Sequence, residues 1–249
     1  MKVRIAYLDE PPFYWTGPEG FATGADIELA DAVLRAIGAT SIEHCRTSFE
    51  ELLPGVQAGR WDMNVPIFAT ASRAQHVAFS VPVWTIEDGF VVQRGNPKAL
   101  TSYEAVAARG DARLGVIPAQ VQYAAARSAG VRDAQLVEFR DQPEAVAALL
   151  AGRIDAFTGT ALGGRVLADA NPELATVAHE PGGQGGAPVG AFSFNKANTR
   201  LLEAVNDELR RYLGSAEHRA RMAKYGFTSA EIDGVLPKGR SKVRTKGRT

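Results

Sequence analysis

WDMNVPIFATASRAQHVAFSVPVW, residues Trp61–Trp84, decides how this chain is read. Met63–Ile67 is an apolar run of strand length. Phe68–Ser72 is a polar turn, Arg73 opens a short helical segment, and Val77–Phe79 is a second apolar segment. One arginine thus follows small hydroxyl residues in a turn, with Phe68, Phe79 and Trp84 around it. A planar guanidinium can grip both oxygens of a carboxylate, and Thr70 and nearby backbone N–H groups can add donors. The same pattern also fits a plain loop whose arginine pairs with a surface acid.

Working outward, Val3–Leu8 reads as the first strand, ended by Asp9-Glu10-Pro11-Pro12, because two prolines suit neither a ladder nor a regular helix. Glu10, Phe13, Tyr14 and Trp15 follow the strand end, where open α/β sheets place their ligand crevice. An acid among aromatic faces can hold a cation. It can equally be a solvated acid beside rings that cap the core. Gly24–Ile37 is an amphipathic helix with Ile27, Ala30, Val33, Leu34 and Ile37 on its apolar stripe and Asp26 largely off it. Cys45, in the strand Ile42–Arg46, reads as a small buried residue. Ser48 and Glu51 suggest a capping box for Phe49–Gly59, with Pro54 expected to kink or split that helix.

Strand and helix patterns alternate between about residues 100 and 180, which predicts a parallel, two-sided α/β lobe. Pro181–Pro188, PGGQGGAP, lacks the spacing of a phosphate-cradling loop and reads as a flexible connector. Val189–Phe194 is a strand, and Asn198–Leu213 an amphipathic helix.

The 249 residues suggest two lobes or one large domain. A single cysteine allows neither an internal disulfide nor a cysteine metal cluster. The four histidines show no metal-ligand spacing, so no metal and no cofactor is expected. Neither a nucleophile elbow nor a P-loop is present, and nothing in the pattern calls for an enzyme. The last twelve residues, 238–249, carry six Lys/Arg and no acid, leaving 22 basic and 28 acidic residues in 1–237, a net of −6. That tail reads as disordered, and without interleaved aromatics it does not suggest a nucleic-acid partner. No run reaches membrane-span length, and Met1-Lys2 leads straight into a strand with no signal-peptide pattern.

The order of EPPF, GADIELADAVLRAIG, FEELLPGVQAGRWD, the arginine turn, VAFSVPVW, ARLGV, AGRIDAF and KYGF resembles the polar-amino-acid class of solute-binding proteins that serve ABC importers. The resemblance spans about residues 3–232. It implies an α/β, two-lobed periplasmic-binding-protein-like (type II) clamshell with two hinge strands, near Gly89–Gln93 and Val189–Phe192. Lobe 1 would be residues 1–91 plus 192–237, and lobe 2 residues 92–191. It further implies a monomeric, non-catalytic receptor, periplasmic or at the cell surface if an export signal was removed, delivering its solute to ABC permease subunits.

In that family Arg73 matches the residue that binds the ligand carboxylate, and Thr70 the hydroxyl residue three before it. A Gly-Thr turn is replaced here by Pro118-Ala119-Gln120-Val121, so Gln120 stands at a ligand contact. The acid that holds an α-ammonium is replaced by Thr160. A primary ammonium would lack its carboxylate there. A narrower resemblance, to the ectoine/hydroxyectoine-binding branch, implies an amidinium at Glu10 and a ring enclosed by Phe13 and Phe68, with Phe49 or Trp84 nearby. The alternative functions on this fold are a cyclohexadienyl-dehydratase-like enzyme and a cytoplasmic or sensory amino-acid-binding module.

Overall fold

The computed structural model describes residues 1–179 and 188–237. The basic tail, and the connector apart from Pro188, lie outside them.

Two sheets organise the chain. The first runs in the order Ser41–Arg46, Lys2–Tyr7, Met63–Phe68, Val189–Phe194, Ala78–Phe79, with Trp84–Thr85 also paired to Val189–Phe194. Its first three strands are parallel, and Val189–Phe194 returns antiparallel. The second runs Leu136–Glu138, Leu114–Val116, Ala156–Thr160, Asp88–Gln93, Leu174–Ala178. The strands within residues 100–180, Leu114–Val116, Leu136–Glu138, Ala156–Thr160 and Leu174–Ala178, all run in one direction, as the alternation predicts. Asp88–Gln93 is antiparallel to both neighbours, so the sheet is mixed. It enters directly from the first sheet rather than through a crossover helix, and only a crossover would force a parallel direction.

Both strands expected to cross between lobes stay within one sheet each: Asp88–Gln93 in the second, Val189–Phe194 in the first. Between Trp84–Thr85 and Asp88–Gln93 only Ile86 and Glu87 remain to carry the chain across.

The first sheet is covered by helix Ala25–Ala36, which packs on Thr199–Tyr212 and Ala216–Ala223, and by Phe49–Gln57. The latter remains one helix through Pro54, because the carbonyl deprived of a donor belongs to exposed Glu50. Ser48 makes no side-chain cap bond there. Cys45 is half-exposed rather than buried, since Ser41–Arg46 is an edge strand. Polar groups in this core are paired. Trp61 Nε1 donates to Asn64 Oδ1 (2.5 Å) and Asn64 Nδ2 to Ser193 Oγ (2.9 Å), tying Met63–Phe68 to Val189–Phe194.

Helices Gln142–Leu150 and Ala161–Ala170 pack on the second sheet. Asp155 accepts from Lys98 Nζ (3.0 Å) and from the Arg113 N–H (2.8 Å). Arg165 joins the two halves at one side, donating to Gly226 O (3.0 Å) and Glu231 Oε1 (2.8 Å). No helix among the described residues is long and apolar enough to cross a membrane.

Candidate functional site: a cavity between the sheets

Four parallel strands end at one place. Lys2–Tyr7 leads to Glu10, and Met63–Phe68 ends on Phe68. Leu114–Val116 leads to Gln120, and Ala156–Thr160 ends on Thr160. The carboxyl ends of two sheets therefore face each other across a narrow cavity of about 20 Å³. Glu10, Phe13, Phe49, Phe68, Arg73, Gln120 and Thr160 all line it. Thr70 does not. Its hydroxyl accepts from the Arg73 N–H (3.2 Å) and caps helix Ala71–Ala74, which aims Arg73.

Arg73 is buried. Its guanidinium donates to Phe68 O and Ala119 O, both at 2.9 Å, and lies over the Phe49 ring at 5.1 Å. No Asp or Glu among the described residues forms an ion pair with it. Burial pushes its pKa down to about 10, against the attraction of Tyr14 and Glu10. A buried cation without a carboxylate is several kcal/mol short of compensation, on the order expected for a severed buried pair.

Glu10 accepts from Gln120 Nε2 (3.1 Å) and from Tyr14 Oη (3.4 Å). Burial pushes its carboxyl up to about 7, although both donors and Arg73 pull the other way. Phe13 stacks against Trp84 (5.7 Å) and Phe227 (5.8 Å), and Phe68 meets Trp84 edge-on (5.4 Å). Gly24 lets this loop sit close. A Cβ there would meet Phe13 O at 2.3 Å, and its φ of +124° suits glycine. The helix that follows then donates Ala25 N to Pro12 O and Asp26 N to Phe13 O.

Gln120 and Thr160 are the N-cap residues of helices Val121–Ser128 and Ala161–Ala170. Thr160 Oγ1 accepts from Gly163 N (3.1 Å), whereas the Gln120 side chain makes no cap bond and goes to Glu10. Two helix N-termini thus open on the second-sheet side, which favours negative charge there.

Tyr14, Trp84 and Gln122 also line the cavity. Asp26, expected off the apolar stripe of its helix, is fully buried and takes the Trp84 Nε1–H at 3.2 and 3.3 Å on its two oxygens. Burial holds its carboxyl well above the usual range. The signal that could have found it is Trp84 itself, since a buried indole needs an acceptor.

Two large sheets whose strand ends face each other across a cavity make a two-lobed, type II periplasmic-binding-protein fold. A crystal structure of EhuB in complex with hydroxyectoine matches it with a TM-score of 0.83 at 26% identity, covering 95% of each chain. An amino acid ABC transporter substrate-binding protein of Streptococcus pneumoniae, bound to L-arginine, matches with a TM-score of 0.80 at 23% identity, covering 95% of this chain and 97% of that one. The chain belongs to the bacterial extracellular solute-binding proteins, family 3, whose pattern residues 3–228 match. It is 30% identical to a probable amino-acid ABC transporter periplasmic-binding protein of Sinorhizobium fredii, over 95% of this chain and 80% of that protein.

Proposed function

We propose that this chain is a non-catalytic extracytoplasmic receptor that captures a small zwitterion between its lobes and hands it to the permease of an ABC importer. The observation that carries the reading is Arg73, a buried guanidinium at a cavity wall with backbone carbonyls and a ring for partners but no acid. The ligand carboxylate completes it, assisted by the N-terminus of Val121–Ser128. Glu10 takes the cationic end, and Phe13, Phe68, Phe49 and Trp84 enclose the body. Thr160, already serving as a cap, offers a primary ammonium no charge. A delocalised cation such as the amidinium of ectoine or hydroxyectoine suits Glu10 better. The sheet memberships support a lobe division at Ile86–Glu87, a few residues before the position expected from the sequence, with Val189–Phe194 returning to the first lobe.

Titration calorimetry with ectoine, hydroxyectoine, glycine betaine, proline and common amino acids tests the reading. We expect one cyclic zwitterion to bind tightly, and Arg73→Ala to weaken it by about 2–4 kcal/mol. Binding no tighter than millimolar for every zwitterion, or unchanged affinity in Arg73→Ala, overturns it.

A further inference from the structure

Gln122 is buried on the cavity wall, at the second position of helix Val121–Ser128. Its Nε2 donates to Asp88 Oδ1 at 2.7 Å. Asp88 is the first residue of its strand, directly after Ile86–Glu87, and is registered opposite Thr160. An ionised carboxylate only accepts hydrogen bonds. The amide must therefore turn its nitrogen to Asp88, and its one other polar atom is the oxygen.

We propose that Asp88 is a positioning residue that fixes Gln122 as a hydrogen-bond acceptor for the ligand, so that the site selects zwitterions bearing N–H or O–H donors over those whose cation is fully alkylated. This rests on the cavity being the solute site. It assigns a polarity to the second-lobe wall that the carboxylate seat at Arg73 and the cation seat at Glu10 leave undetermined.

The arrangement has a built-in reversal. A protonated Asp88 can donate as well as accept, so it no longer holds the amide nitrogen, and the Gln122 NH₂ is free to face the cleft. Burial, with Glu87 adding to it, lifts Asp88 to about 6 against the pull of Gln122. The titratable groups around it are Glu87, Tyr103, whose own pKa is pushed up chiefly by burial and further by Asp88, and His179, whose backbone N–H donates to Asp88 O (3.1 Å). Burial lowers the His179 pKa, with Glu104 pulling the other way.

The test is the ratio of affinities for ectoine, which carries N–H groups, and glycine betaine, which has none on its cation. Protonation of Glu10 weakens both cations, so the ratio isolates Gln122. In the wild type the ratio favours ectoine at pH 8 and falls about tenfold by pH 5, the value of one hydrogen bond. In Asp88→Asn the ratio is low at both pH values, because a neutral amide no longer dictates which end of Gln122 it meets. Gln122→Leu gives the same flat, low ratio and tests the inference independently should Asp88→Asn fold poorly. A full, pH-dependent ratio in either folded variant overturns the inference. A wild type that binds neither zwitterion overturns the receptor reading itself.

Discussion

Glu10→Gln separates what the cavity does for the ligand from what it costs the fold. The carboxyl is raised from 4.5 to about 7 by burial. Between those values the folded protein holds a proton that the unfolded chain has lost. Stability therefore falls as pH rises through that window, and the deficit is complete above about pH 7. A shift of that size corresponds to about 3 kcal/mol. Glutamine cannot ionise, yet it keeps an oxygen for Tyr14 and Gln120. The variant should thus be about 3 kcal/mol more stable than the wild type at pH 8, and less than about 1 kcal/mol more stable at pH 5. Urea unfolding at the two pH values measures this. Calorimetry on the same protein should show affinity for a cation-bearing zwitterion falling roughly 10- to 100-fold, the loss of a charge-assisted bond. A variant with no gain at pH 8, or with an equal gain at pH 5, refutes the reasoning.

Thr160→Asp keeps the helix cap, because aspartate caps as well as threonine. It should shift preference toward ligands with a primary ammonium, and an unmoved ligand profile would show that position 160 does not face the cationic end. Gly190→Ala places a Cβ 2.2 Å from the Trp84 ring and should lower stability by about 1–3 kcal/mol while weakening binding. Unchanged thermal unfolding would contradict that packing. Ala119 holds a φ of +63°, a region that costs a non-glycine residue about 1–2 kcal/mol. Ala119→Gly should raise the unfolding free energy by up to about 1 kcal/mol, and with it the denaturation midpoint, part of the relief being offset by the freer unfolded chain. A lowered midpoint would count against strain there.

Arg73 was legible because its signals are local: a buried strand, a hydroxyl cap and a guanidinium within eleven residues. Glu10 and Phe13 were legible as a cluster past a strand end, and Gln120 and Thr160 through the family resemblance. Asp26 was not legible. A first-turn acid on an amphipathic helix reads as solvated, and the indole that buries it lies 58 residues away. The direction of Asp88–Gln93 was hidden for a different reason. The strand lies before the alternating stretch that predicts parallel strands, and with no crossover helix leading into it nothing in the pattern sets its direction. Cys45 looked buried because its strand is partly apolar, but an edge strand has a neighbour on one side alone.

Only Ile86 and Glu87 separate the strand Trp84–Thr85 in one sheet from Asp88 in the other. Rotation about so short a connection moves each atom in proportion to its distance from it. The aromatic wall at Trp84 lies almost at the fulcrum, and the rims of the two lobes at the ends of the arms. In the proposed receptor, a solute seated against Trp84 would work as a wedge near a pivot: a displacement of a bond length beside the ring would become a far larger travel at the outer surfaces. Those surfaces, not the cavity, are what a membrane partner meets, so the mechanical gain between them is set by how close the indole stands to the two residues that turn.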